Sequence, residues 1–289
     1  MVLAGPYFLG VDLGGTQMRM AAISRDGVLA GDVLAVPTGP AFAPDDLRRH
    51  TRELADRIAR GMNGDTLAGL GVGAAGVVTD GPLTQAPHLP RIEGTNVAEI
   101  VADAMPECAV KVENDARCFT LAEARYGAAR GARDACGLTL GTGIGCGVMV
   151  GGRLHRGASA QAGEVWHIQL RGHSVEHFVA GAGIVRGYAA AGGKADGTDA
   201  AGIADRARAG DKAAAEAWRS FGEDLGFLCE AIVALLDPEV IVIGGSMARA
   251  SDLFAPILRE RTGKLPARIV EAQLGPAAGV IGAAALNID

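Results

Sequence analysis

Two stretches of the chain share one layout, and that repetition constrains the fold more than any other feature. "FLGVDLGGTQMRMAAISRDGVLAG", starting at Phe8, and "CGLTLGTGIGCGVMVGGRLHRGAS", starting at Cys136, each read strand, Gly/Thr turn, strand, short turn, strand. In the first, Leu9, Val11 and Leu13 alternate with smaller or polar positions, and Met18, Met20 and Ala22 alternate after the break. A glycine pair between two such strands makes a tight hairpin, because glycine takes positive φ angles without steric penalty. Taken alone, Asp12-x-Gly14-Gly15-Thr16 suits a structural hairpin as well as a phosphate loop. In the second case, backbone N–H groups and the Thr16 hydroxyl would face phosphate, and Asp12 would hold hydrated Mg²⁺. Two such hairpins in one chain predict two related domains facing each other across a cleft, each giving one loop to a nucleotide.

The remaining elements fit that plan. "APDDLRRHTRELADRIARGMNG" reads as a helix capped by Asp45, with Leu47, Leu54, Ile58 and Met62 on one face and Gly64 past its end. "AVKVENDARC" is a strand ending on an acid, followed by the helical "FTLAEARYGAARG". In "AWRSFGEDLGFLCEAIVALLDP", Trp218, Phe221, Leu225, Leu228, Ile232 and Leu235 form an apolar stripe that stops at Pro238. "EVIVIGGSM" is a buried strand with its own glycine turn, and "GPAAGVIGAAAL" is a helix of small residues that packs closely on its neighbour. Ala and Gly dominate residues 179–210, which read as short helices without clear divisions.

Composition removes several function classes. A formal charge of −6 gives no polybasic surface for nucleic acid or membranes. No apolar run approaches the ~18 residues of a membrane span. "MVLAGPYFLG" has no basic segment of the kind that opens a secretory leader. The 5 cysteines include no C-x-x-C pair, which predicts a reduced, cytoplasmic protein without a cysteine metal cluster. "GVGAAG" (Gly71 to Gly76) matches the dinucleotide fingerprint by letter, but strand and turn follow it where that fingerprint needs a helix. No G-x-x-x-x-G-K-[ST] occurs. "HSVEH" (His173 to His177) matches one zinc-peptidase pattern, yet no distinctive third ligand follows. A polar helix start capped by Ser174 explains it as well.

In order along the chain, "LGVDLGGTQMRMAAI", "GVGAAGVVTDG", "VENDARCFTLAEARYGAARG", "LTLGTGIGCGVMVGGRLHRGASAQAGEVWH", "VEHFVAGAGI" and "LLDPEVIVIGGSM" resemble the motifs of the ROK sugar kinases. The resemblance implies an α/β, two-domain actin-like ATPase (RNase H-like) fold with a nucleotide and sugar cleft between the lobes. It places the first lobe at residues 1–113, joined by a C-terminal helix at 277–289, and the second at 114–276. It implies a first phosphate loop at Asp12, Gly14, Gly15 and Thr16, with Mg²⁺ held by Asp12 through water. The second phosphate loop maps to Gly141, Thr142, Gly143 and Gly145, and the adenosine-side loop to Gly244 and Gly245. Asp115 matches the base that takes the hydroxyl proton, and its local alternative is the N-cap of the following helix. Gly76, Asn114, Asp115, Glu164, His167 and Glu176 match the sugar-binding set, since neutral polyols are read by hydrogen bonds.

The implied activity is ATP- and Mg²⁺-dependent phosphorylation of a hexose or N-acetylhexosamine at the 6-hydroxyl, by a protein of a family that often forms homodimers. Polyphosphate stays open as the donor. The alternative is a sugar-binding regulatory member without kinase activity; its helix-turn-helix would need more than the 7 residues that precede Phe8. The chain also departs from the pattern. "HIQLRGHSVEH" spans the place of the family's cysteine zinc motif with no cysteine, Ala75-Gly76 replaces Pro-Gly, and His88 stands where Asn is common. A metal-independent loop is therefore expected: after EDTA treatment and restoration of Mg²⁺, melting temperature and activity stay unchanged. Stoichiometric zinc by elemental analysis, lost together with stability, would contradict this.

Overall fold

The predicted first hairpin is present in the computed structural model as β1 (Tyr7–Leu13) and β2 (Gln17–Ser24), with Leu13 paired to Met18 across the glycine turn. The structure describes residues 5–62, 64–79 and 82–288. Residues 1–4, on which the leader expectation partly rests, and Asp80–Gly81 after Val78 lie outside them.

The chain divides into two units, Met1–Gly131 with Leu154–Ala162 and Gln273–Asp289, and Ala132–Arg153 with Gly163–Ala272. In the first unit, β3 (Leu34–Pro37), α1 (Pro44–Ala59) and β4 (Leu67–Ala74) follow the hairpin. The ribbon β5 (Val77–Val78) and β6 (Leu83–Thr84), then α2 (Val97–Ala104), β7 (Val110–Asn114) and α3 (Asp115–Tyr126) come next. The sheet order is β3-β2-β1-β4-β7. Leu9, Val11 and Leu13 of β1 share one core with Leu47 and Leu54 of α1 and Val97 and Val101 of α2. Helix α1 starts one residue before the expected cap. Pro44 suits a first helical position that needs no N–H donor, and Asp46 accepts the Ala43 N–H at 3.0 Å.

The second unit repeats the pattern. Its strands are β8 (Ala135–Leu140), β9 (Ile144–Val150), β10 (Arg153–Leu154), the short ribbon β11 (Gln169–Leu170) and β12 (His173–Ser174), β13 (Val240–Gly244) and β14 (Arg268–Glu271). Its five-stranded sheet runs β10-β9-β8-β13-β14, a meander of three followed by two parallel crossovers, as in the first unit. The helices are α4 (Gly181–Ala190), α5 (Ala200–Arg208), α6 (Lys212–Leu236) and α7 (Ser251–Thr262). Trp218, Phe221, Leu225 and Leu228 of α6 pack with Leu138, Ile241 and Phe254 in the second core. Leu235, assigned to the same stripe from sequence, is 75% exposed and so does not join that core. Asp211 caps α6 at its start through the Ala213 and Ala214 N–H groups. Asp237, in the left-handed region ahead of Pro238, ends it.

The last helix, α8 (Ala278–Ala285), belongs to the first unit and lies on the sheet face opposite α1 and α2. A Cβ on Gly10 would overlap the Val280 carbonyl, one on Gly71 the Ala283 carbonyl, and one on Gly282 the Cys118 carbonyl of α3. Glycine here permits backbone-to-backbone approach of a helix to two strands and a second helix. Helix α3 packs on α8 and β4, which is why the unit boundary falls after Gly131 and not at residue 113. Buried Glu123 secures the returning chain by accepting the N–H groups of Gln273 and Leu274 at 3.2 and 2.9 Å, and that of Ala128 at 2.8 Å. Lys111 and Arg125 donate to the carbonyls of Leu286 and Ala285, both at 2.8 Å, where cations complement the helix dipole. Gly71→Ala is therefore expected to lower urea unfolding free energy by ~3 kcal/mol or more through overpacking. Gly61→Ala, where the nearest atom lies at an ordinary 3.4 Å, should be neutral to slightly stabilising.

Candidate functional site

The first glycine turn is closed by a Gly14 N–H to Gln17 carbonyl bond at 3.0 Å. Thr38 braces it, donating its hydroxyl to the Gly14 carbonyl at 2.7 Å and its N–H to the Thr16 carbonyl at 3.0 Å. A Cβ on Gly15 would lie 2.5 Å from the His88 Cβ, so the turn rests directly on that residue. Thr16 is exposed. Asp12 is half enclosed: Arg19 pairs with its Oδ2 and also donates to the Pro276 carbonyl at 2.9 Å, while Gly279, in the first turn of α8, leaves room for the carboxylate. With Oδ2 engaged, Asp12 can hold a hydrated cation only through Oδ1. That suits Mg²⁺, which keeps several waters and uses one or two carboxylates beside substrate phosphates.

At the junction of β7 and α3, the structure separates two roles that the sequence left joined. Asn114 is the N-cap, accepting the Arg117 N–H at 3.1 Å, and Asp115 is the first helical residue. Asp115 Oδ1 accepts the Ala116 N–H at 2.8 Å and the Asn114 amide at 3.0 Å. The same amide donates to the Gly76 carbonyl at 2.9 Å. Gly76 has φ +143°, and a Cβ there would lie 2.9 Å from the Thr84 carbonyl oxygen, so the turn beside Asn114 requires glycine. Gly76, Asn114 and Asp115 are thus one hydrogen-bonded group.

Behind it lies an ion network that the sequence reading missed. Glu113 and Arg117 are each 1% exposed and pair at 3.1 Å. Glu113 also takes Arg156 at 2.5 Å and the Asn114 N–H at 2.8 Å. Arg117 donates to the carbonyls of Ala160 and Ala162 at 2.7 and 3.0 Å, fastening the segment Leu154–Ala162 to this junction. The signal was an acid within the strand "VKVEN" and an arginine four residues later in an apolar helix start, a pair that burial would require.

In the second unit, the turn closes with a Gly141 N–H to Gly143 carbonyl bond at 2.9 Å, and Gly145 sits in β9 opposite Thr139. Gly244 ends β13, and Gly245 (φ +87°) passes so close to the Leu140 backbone that no Cβ fits. Beside these turns is a cavity of about 590 Å³. Its lining includes Thr142, Val185, Asp199, Arg208, Trp218 and Met247, and Gly141 and Ser246 also reach it. Gly143, Gly145, Gly244 and Gly245 are not in its wall. They shape the turns around it.

The three predicted acceptors of this unit sit on two abutting 3₁₀ turns, Val165–His167 and Val175–His177. Glu164 accepts the Trp166 indole N–H at 2.6 Å, and exposed His167 stacks on that ring with centroids 3.5 Å apart. Glu176 accepts the Ile144 N–H at 3.0 Å. Where zinc ligands would stand, the β11–β12 ribbon is held otherwise. Arg171 pairs with Asp224 of α6 at 2.5 Å and lies over the Phe178 ring at 4.2 Å, and His173 stacks on His177. Burial raises the Asp224 carboxyl above its ordinary range, with Arg171 opposing it. No cluster of three or more metal-ligating side chains occurs among the described residues, and none of the described helices is long and apolar enough to cross a membrane.

A model of the ROK family matches residues 8–289. The glucokinase of Streptomyces coelicolor is 26% identical over 314 residues, covering 96% of this chain and 96% of its own. The N-acetyl-D-glucosamine kinase of Pasteurella multocida is 30% identical over 252 residues, covering 76% and 80%. A solved ROK family glucokinase from Streptomyces griseus, in complex with glucose and AMPPNP, matches with a TM-score of 0.80 at 26% identity, covering 97% of this chain and 98% of that one. The fold is therefore the two-domain actin-like ATPase fold of those kinases. Removing one side of the buried pair tests the ion network. Arg117→Met should lower unfolding free energy by ~3–5 kcal/mol, with part of the loss recovered when Glu113→Gln is added.

Proposed function

The chain belongs to the ROK family, and on that footing we propose that it is a sugar kinase. It transfers the γ-phosphoryl group of ATP to a hexose or N-acetylhexosamine at the 6-hydroxyl, with Asp115 as the base. The observation that carries this reading is the division of labour at the head of α3. Because Asn114 supplies the cap, the Asp115 carboxylate is not needed to start the helix. Its position beside the amide of Asn114 and the Gly76 turn suits a group that orients a hydroxyl and takes its proton.

The donor side draws support from the second unit. A largely apolar cavity next to Thr142 and Ser246 suits a purine nucleoside; of the two arginines in its wall, Arg208 and Arg249, the first is already paired with Asp205 and Asp252. Thr16 and Thr142, each on a glycine turn, are the proposed phosphate-facing hydroxyls, with Gly14, Gly15, Gly141, Gly143, Gly145, Gly244 and Gly245 shaping the backbone around them. When bound, Mg²⁺ neutralises phosphate charge, and Asp12 would hold it through water. On the acceptor side, Glu164, His167 and Glu176 present two carboxylates and an imidazole from neighbouring turns, a set suited to several hydroxyls of one polyol.

An ADP-release assay over a panel of hexoses and N-acetylhexosamines with ATP as donor, with sugar-phosphate formation measured where polyphosphate replaces it, tests the reading. ADP release above the hydrolytic background with none of the sugars would reject it. Asp115→Asn is expected to leave sugar affinity within a few fold and to lower kcat by at least ~10², the scale of a lost general base. Because the cap stays with Asn114, its melting temperature should move little. Turnover above half of wild type would remove Asp115 from the role.

A further inference from the structure

Glu176 touches more than a sugar site would require. Its Oε2 accepts the Ile144 N–H at 3.0 Å, and a Cβ on Gly143 would lie 2.6 Å from the same oxygen. The carboxylate therefore rests against the second glycine turn at a point where only glycine leaves it room. The turn is held again further along the same segment, where Gly181 donates its N–H to the Gly141 carbonyl at 2.9 Å. Residues 176–181 thus clasp residues 141–144 at both ends, by a side chain at one and by backbone at the other. The turn that presents Glu176 is itself fixed. Val175 is fully buried, and its N–H bonds to the Ile168 carbonyl at 2.7 Å. Between the two clasped points lies Thr142, which reaches the cavity together with Gly181 and Ala182 of α4.

A carboxylate has two acceptor oxygens, and here Oε2 is committed to the turn. Oε1 can accept a hydroxyl without the Ile144 bond being given up. We infer that Glu176 is the residue that couples acceptor binding to donor binding, with one oxygen on the sugar and the other setting the phosphate turn. The inference rests on the sugar-kinase reading above. Without sugar, the Ile144 end of the turn is held by one hydrogen bond to a rotatable side chain, and the nucleotide must complete the ordering there. With a hydroxyl on Oε1 the side chain is fixed first, so the nucleotide meets a turn already in place. Binding linkage makes the effect reciprocal, and the nucleotide must tighten sugar by the same factor.

Calorimetric titration separates this coupling from the reading beneath it. Mg²⁺–AMPPNP is titrated into the protein with and without saturating glucose, N-acetylglucosamine or N-acetylmannosamine, and each sugar is titrated with and without Mg²⁺–AMPPNP. In the wild type, the sugar that is phosphorylated should tighten the nucleotide about fivefold or more, with the same factor in the reverse titration. In Gly143→Ala the new methyl displaces the carboxylate from the turn. The coupling factor should then fall below about 2 at saturating sugar, whatever the change in sugar affinity measured alone. Glu176→Asp, one methylene too short to span both partners, provides a second reading should the first variant not fold, and it too should lose the coupling. Wild-type coupling that persists in a folded variant overturns the inference. So does phosphorylation of a sugar that leaves nucleotide affinity unchanged, and in that case the kinase reading stands. If none of the sugars binds or is phosphorylated, both fall together.

Discussion

Most of the first unit depends on how near α8 comes to β1 and β4. The approach is set by backbone, because Gly10 and Gly71 face the carbonyls of Val280 and Ala283 with no side chain between. Such contact is short-ranged and intolerant of added volume, unlike the broad aliphatic packing of α1 and α2 on the opposite face. It fixes Gly279 against Asp12, and through Arg19 and Pro276 it ties the first glycine hairpin to the start of the same helix. The geometry of Asp12 is therefore a property of the chain's last helix as much as of its first strand.

The two units repeat a sheet topology and a glycine hairpin, but they stabilise the hairpin differently. In the first, a threonine from β3's edge, Thr38, bonds both sides of the turn. In the second, the corresponding support is Glu176 and Gly181, from a segment with no counterpart in the first unit. The Thr38 hydroxyl spends its donor on the turn, whereas the Glu176 carboxylate accepts from the turn through one of two oxygens.

How much was legible in the sequence follows from the range of the interactions. Period-2 and period-3.6 patterns are local, so the paired hairpins, α6 and the small-residue helix α8 could be read directly. Ends were less secure. Pro44 moved the start of α1 ahead of Asp45, and the cap of α3 went to Asn114, because two adjacent capping residues look alike until one of them is seen to bond N3. The motif residues Gly76, Asn114 and Asp115 could be named, but not their mutual hydrogen bonds, since Gly76 and Asn114 are joined by tertiary structure alone. Arg156, Arg117 and Glu113 went unnoticed for the same reason. Charges read as surface features in sequence, and only the fold shows that two of these three are enclosed.

Glu123 accepts three backbone N–H groups. Two of them, from Gln273 and Leu274, are translated only after the entire second unit. The sheet face at Gly10 and Gly71 is therefore covered, and Glu123 given these donors, only by chain that lies beyond the second unit, whose own segments are contiguous but for one short excursion. The first unit is thus closed by a segment that follows the second unit in the chain, and its completion depends on residues beyond Ala272.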